Sequence, residues 1–186
     1  MDIAISVLVP CVPERLSLLP RLLGELTRQA EGRPVEVLAL MDNRRRSTGR
    51  KMNDLVALAQ GRYVTIVADD DWVEPDYVAS LLAAIEATPD ADCVMFDVAF
   101  YANGEYVKDF RYGQEYGWHE TADCIYRQPA PFLCWSRKLM LRHPFPDKVS
   151  GEDSDWMATG PWLERPLRQA RIARVLYRYL AVPGHP

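Results

Sequence analysis

The chain has 186 residues, 48% of them hydrophobic and 26% charged, with a net charge of −4. That balance suits one cooperatively folded unit and argues against a disordered tail or a fibre. The small net charge argues against a generally basic nucleic-acid-binding surface, and no run approaches the roughly 18 uninterrupted apolar residues of a membrane span.

The N-terminus, Met1-Asp2-Ile3, lacks the basic region of a signal peptide and leads straight into an apolar run. Residues 3–9 read as an inner strand ended by Pro10. Leu16, Leu19, Leu22, Leu23 and Leu26 recur at helical spacing, with Pro20 in an early turn. Gly32-Arg33-Pro34 breaks that helix, and residues 35–41 form the second expected strand, with Asp42 and Asn43 at its end. A helix over 53–60 closes at Gly61. Residues 63–68 make the third strand and 77–87 the helix after it. Strand–helix alternation of this kind argues for an α/β layered domain whose ligands bind beyond the carboxyl ends of the strands. Residues 93–100 and 105–111 flank Asn103-Gly104, a favourable hairpin turn. Residues 113–131 read as an irregular segment over the site, 133–141 returns to ordered structure, and 156–167 is a short Pro-interrupted helical region. Residues 172–180 form a last strand or a last helix. No repeat or flexible linker divides the chain, so one domain over 1–186 is expected.

Asp69, Asp70 and Asp71 close the third apolar run. Crowded carboxylates raise one another's pKa unless a cation or donor compensates. Placed at a strand end, such a triplet suggests a Mg²⁺ or Mn²⁺ site that brings substrate phosphates with it. The plainer reading is a helix cap with acidic first-turn residues. Arg44, Arg45, Arg46, Arg50 and Lys51 place five cations between the second strand and the next helix, either as a solvated loop or as a phosphate clamp. Neither a P-loop nor a G-x-G-x-x-G fingerprint is present. Glu152, Asp153 and Asp155 form a second acidic group, either another helix start or a carboxylate able to take a proton from an attacking hydroxyl. Trp156 either packs under an acceptor ring or anchors the core. His119, His143 and His185 match no metal spacing, although a C-terminal tail folding back would bring the His185 imidazole to the strand ends. Cys11, Cys93, Cys124 and Cys134 show no metal or redox spacing and suit a reducing cytoplasm. Cys134 has no identifiable base partner.

Five segments in order, ISVLVP (5–10), EVLALMDN (36–43), GRKMNDL (49–55), GRYVTIVADDDWVEPDYV (61–78) and FPDKVSGEDSDW (145–156), resemble the family 2 glycosyltransferases of GT-A fold. The resemblance implies a single Rossmann-like α/β domain with a mixed, mostly parallel sheet flanked by helices. Residues 1–90 would be its nucleotide-binding half and 91–186 its acceptor and catalytic-base half. It implies inverting, metal-dependent transfer from a nucleoside diphosphate sugar, typically a UDP-sugar, with Mn²⁺ or Mg²⁺. Pro10, Glu14, Asp42, Lys51, Asn53 and Asp69 would serve the nucleotide. Asp70 and Asp71, with His185, would serve the metal. Asp153 would be the base, with Glu152 and Trp156 on the acceptor side. One departure stands out: Ala68 occupies the family's first Asp position. Either Asp69 takes over the ribose-side role, or Asp69 and Asp71 are the working pair; Asp70 is taken as the chief ligand.

Two other functions compete. A sugar-phosphate nucleotidyltransferase also uses carboxylates and a divalent ion, but carries a Gly-rich basic loop where this chain has Cys11-Val12-Pro13-Glu14. A nucleotide-sugar-binding or interaction module with an inactive site is the non-enzymatic reading. The acceptor is left open among a glycan, a small molecule, a protein and a modified DNA base.

Overall fold

In a computed structural model, residues 2–181 are described. Strands β1 (Ile5–Pro10), β2 (Val35–Leu40) and β3 (Tyr63–Ile66) form from the expected apolar runs, with β1 between parallel β2 and β3. Helix α1 (Leu19–Ala30) carries Pro20 in its first turn and buries Leu19, Leu22 and Leu26. Helix α2 (Thr48–Leu58) begins five residues before the expected start, because Ser47 caps it by accepting from the Arg50 amide at 3.1 Å. A two-residue strand β4 (Trp72–Val73) follows the aspartates, and helix α3 (Tyr77–Ala87) comes after it. Asp76, not Asp71, stands at the N-cap of α3, so the capping reading of the triplet fails.

The second half departs from strand–helix alternation. Strands β5 (Cys93–Ala102) and β6 (Glu105–Tyr112) form the expected hairpin, with Asn103 and Gly104 both at positive φ, as a tight twisted turn requires. The segment expected to be irregular contains β7 (His119–Glu120) and β8 (Cys124–Arg127). Strand β9 (Cys134–Ser136) precedes helix α4 (Arg137–Arg142); helix α5 (Glu152–Ala158) then leads to the long strand β10 (Gln169–Ala181). The open choice for the last segment therefore resolves as strand.

The sheet runs β2-β1-β3-β9-β5-β6-β8-β7, and β10 pairs along the other edge of β5 and with β4. This corrects the mostly parallel sheet expected above: of the nine pairings among the described residues, five are antiparallel. A two-residue hairpin can join only antiparallel neighbours. In addition, β9 enters antiparallel to both β3 and β5, separating the two strands that an uninterrupted α/β alternation would have paired. The core lies on both faces of this mixed sheet, with Trp135, Trp156, Tyr77 and Phe96 among its largest buried side chains. No helix among the described residues is long and apolar enough to cross a membrane.

Candidate active site

The carboxyl ends of β1 and β3 open onto a cleft of about 690 Å³. Its walls come from the loop after β1, the start of α2, the aspartate triplet, the turn before α5 and the end of β10. Distant parts of the chain therefore meet there.

On the triplet side, Asp69 is only 2% exposed. Its Oδ2 accepts from the Val12 amide at 2.8 Å and its Oδ1 from Arg15 at 3.0 Å. The other arm of Arg15 pairs with Asp70 at 2.9 Å, so one guanidinium bridges two neighbouring carboxylates. This compensates their mutual repulsion. Asp71 faces inward. Its Oδ2 accepts from the Tyr177 hydroxyl at 2.6 Å and its Oδ1 from the Leu180 amide at 2.8 Å. Burial pushes its pKa up to about 7, and the Tyr177 bond only partly opposes that. Tyr177 in turn accepts from the Ala68 amide at 3.1 Å. Strand β10 thus grips the triplet from the far end of the chain, aided by its antiparallel pairing with β4.

The basic segment is largely committed to internal pairs. Lys51 is 3% exposed, donates to the Cys11 carbonyl at 2.6 Å and lies 2.9 Å from Asp42 Oδ1. Arg46 binds the other oxygen of Asp42 through its amide at 3.0 Å and its guanidinium at 3.1 Å. Burial works to raise the Asp42 pKa, but Lys51 and Arg46 together outweigh it and hold the carboxyl below its ordinary range. Asn43 and Arg44 both take positive φ, unusual for side-chain-bearing residues. From that turn Arg44 pairs with Glu14 at 2.9 Å across the cleft mouth and holds the Glu14 pKa down.

The opposite wall is the turn before α5. Helix α2 draws it in through reciprocal 2.9 Å bonds between the Asn53 side chain and the Phe145 backbone, and through Thr48 to the Val149 carbonyl at 2.8 Å. Gly49 makes the approach possible: a Cβ there would sit 2.0 Å from the Pro146 carbonyl oxygen. Gly151, at φ +77°, turns the chain into α5. Glu152 then points inward, 7% exposed, with its pKa raised by burial. Asp153 is exposed and lines the cleft, its Oδ1 accepting from the Ser154 amide at 2.7 Å.

Of the residues singled out from sequence, Pro10, Glu14, Lys51, Asp69, Asp71, Glu152 and Asp153 line the cleft. Asp42, Asn53, Asp70 and Trp156 are not in its lining. Trp156 is 2% exposed, donates to the His143 carbonyl at 2.7 Å and stacks on Phe145, so it anchors α5 to the core. His185 lies outside the described residues. Sequence reading missed Arg15, Tyr177, Tyr179 and Arg127, all in the lining. Arg15 follows Glu14 directly and could have been flagged; the other three come from segments read only as strand-or-helix or irregular. Cys11 is also at the cleft, but burial raises its thiol pKa to about 11, so it is no nucleophile at neutral pH.

Carboxylates are the right donors for a hard divalent ion. Among the described residues, however, no three Asp, Glu, His or Cys side chains converge as a metal-holding group. Asp69 and Asp71 have both oxygens engaged in hydrogen bonds within the protein, those of Asp71 tying it to β10. An ion that arrives with phosphates needs only one or two carboxylates. Asp70 fits that need, in exchange for its pair with Arg15.

A family model described as glycosyl transferase family 2 matches residues 40–147. No curated protein matches the chain. Among solved structures, S. aureus TarS 1-349 in complex with UDP-GlcNAc superposes with a TM-score of 0.69 at 14% identity, covering 98% of this chain and 60% of that one. The UDP complex of the same fragment gives 0.65 at 15%, covering 97% and 61%. HddC from Yersinia pseudotuberculosis gives 0.51 at 13%, covering 92% and 91%. At these identities the likeness is one of fold. The chain spans about 60% of the length of the TarS fragment.

Proposed function

The chain belongs to glycosyl transferase family 2, and from that footing we propose that it transfers a sugar from a nucleoside diphosphate sugar, a UDP-sugar first among them, to an acceptor hydroxyl with inversion. The observation that carries this reading is the shared cleft. Asp153, exposed at the start of α5, faces the same space as the triplet side that Arg15 organises. Support comes also from the TarS fold, whose structures hold UDP-GlcNAc and UDP.

On this reading residues 1–90 serve the nucleotide, and 91–186 serve the acceptor and the base. Pro10, Glu14 and the Asp42–Lys51 pair shape the nucleoside end, Asn53 holds the opposite wall to α2, and Asp69 takes the ribose side that Ala68 cannot serve. Arg15 and Arg44 line the cleft, and they balance the diphosphate charge. Asp70 would hold a divalent cation, Mn²⁺ or Mg²⁺, entering with the diphosphate; such an ion neutralises charge on the leaving group. Asp153 takes the proton of the acceptor hydroxyl. The freed oxygen pair attacks the anomeric carbon from the face opposite the diphosphate, the old carbon–oxygen bond breaks, and its electron pair leaves with the nucleoside diphosphate. Glu152, largely buried in the cleft wall beside Asp153, is on the acceptor side.

Replacing Asp153 by Asn tests this role. Transfer should fall by about 10²–10⁴-fold, the usual worth of a general base, while UDP affinity stays near that of the parent. Transfer at the parent rate would remove Asp153 from the role.

A further inference from the structure

Next to the main cleft lies a smaller recess of about 200 Å³, lined by Trp118, Arg127, Gln128, Ser154, Met157 and Ala158. Arg127 lines both spaces, and Ser154, Met157 and Ala158 belong to the helix that carries Asp153. Anything seated in the recess is therefore next to the proposed base.

Two side chains give the recess chemical character. Trp118 is 67% exposed, an unusual position for a large aromatic ring. It is not carried on a loose tip. It directly precedes β7, which pairs with β8, and His119 stacks on Tyr126 across that pair with ring centres 4.4 Å apart. Arg127, the last residue of β8, lays its guanidinium over the Trp118 ring at 4.4 Å. Among the described residues no carboxylate pairs with Arg127, and its buried Nε has no hydrogen-bond partner. A half-buried guanidinium in that condition favours an anion.

We propose that this recess is the acceptor subsite and takes a saccharide ring bearing one negative group, a phosphate or a carboxylate. The ring lies against the open part of Trp118, and the anion meets Arg127. A single cation beside an acidic helix start (Glu152, Asp153, Asp155) suits one charge; a nucleic acid would need several phosphates neutralised. The proposal rests on the glycosyl-transfer reading for its role, but not for its chemistry.

Binding can be followed by NMR titration with a glucuronate disaccharide, glucose 6-phosphate, a neutral glucose disaccharide and a single-stranded oligonucleotide, with UDP titrated separately. The two anionic saccharides should bind, the neutral one about tenfold more weakly. W118A should weaken all saccharides about tenfold and W118F recover part of that loss, whereas R127Q should bring the anionic probes down to the neutral level. Which anionic probe binds more tightly distinguishes a phosphate acceptor from a carboxylate one. Parent-like binding by W118A and R127Q, equal affinity for neutral and anionic saccharides, or preference for the oligonucleotide each overturns the proposal. So does a loss of UDP binding by W118A in step with its saccharide binding, since Trp118 lines the recess and not the main cleft and the effect would then be structural. If UDP fails to bind the parent chain, the nucleotide-donor reading falls, and saccharide binding still decides the recess.

Discussion

Replacing Arg15 by Met probes the charge balance at the heart of the cleft. Its guanidinium joins Asp69 at 3.0 Å and Asp70 at 2.9 Å, with side-chain exposures of 19% for Arg15, 2% for Asp69 and 23% for Asp70. Stranding a buried charge costs about 3–5 kcal/mol, whereas an exposed pair is worth roughly 0–1 kcal/mol. The Asp69 arm belongs to the first class, although the Val12 amide still supports that carboxylate at 2.8 Å; the Asp70 arm lies between the classes. A net loss of about 2–3 kcal/mol follows, or roughly 5–10 °C in melting temperature for a chain of this size. The variant also removes the guanidinium that the two adjacent carboxylates share, so a divalent ion has more to gain there. At a hundredfold excess over its dissociation constant, bound Mn²⁺ returns about 2.7 kcal/mol. Thermal unfolding of parent and R15M, with and without Mn²⁺ and with no donor added, reads both effects. The variant should melt lower and respond more strongly to Mn²⁺ than the parent. A variant that melts with the parent and shows the same Mn²⁺ response refutes the bridging role of Arg15.

Lys51→Met should cost about 2–3 kcal/mol in urea unfolding, less than a fully stranded buried charge because Arg46 still holds Asp42; adding Asp42→Asn should recover part of the loss through their coupling. Gly49→Ala forces a Cβ to within 2.0 Å of the Pro146 carbonyl oxygen and should destabilise by about 1–3 kcal/mol, with faster amide exchange over residues 147–153. Asp92 accepts from Arg165 at 2.7 Å and from the Arg168 amide at 2.9 Å, and Arg165 holds its pKa below the ordinary range. The folded value being depressed, this contribution is present above the unfolded carboxylate pKa of about 3.9 and is lost as pH falls through the folded one. Urea midpoints between pH 2 and 6 should therefore fall less steeply for Asp92→Asn.

The first half of the fold was legible because each element carried its own signal. The apolar runs before Pro10, Asp42 and Asp69 became β1, β2 and β3, and the leucine spacing became α1. The hairpin was legible for the same reason, since Asn103-Gly104 determines its turn locally. Strand β10 was not. Its residues are polar and apolar in mixed order, with register shifts between Ile172 and Tyr177, and its place depends on partners more than seventy residues away. The antiparallel entry of β9 is equally non-local, and that is why the sheet came out more antiparallel than the alternation implied. At the site, residue types pointed to one neighbourhood, since Asp69, Asp71, Glu152 and Asp153 share one cleft. Their partners did not show. That Asp71 serves Tyr177, and that Lys51 is buried against Asp42, depends on contacts that sequence spacing does not encode.

The most direct test of the account is ³¹P NMR of the chain incubated with Mg²⁺ and an acceptor mixture that includes anionic saccharides, in one series with a panel of nucleoside diphosphate sugars and in a second with UTP and sugar 1-phosphates. The account predicts appearance of free nucleoside diphosphate, UDP above others, together with glycosylated product. No nucleoside diphosphate from any donor, with pyrophosphate released instead from UTP and a sugar 1-phosphate, would contradict it.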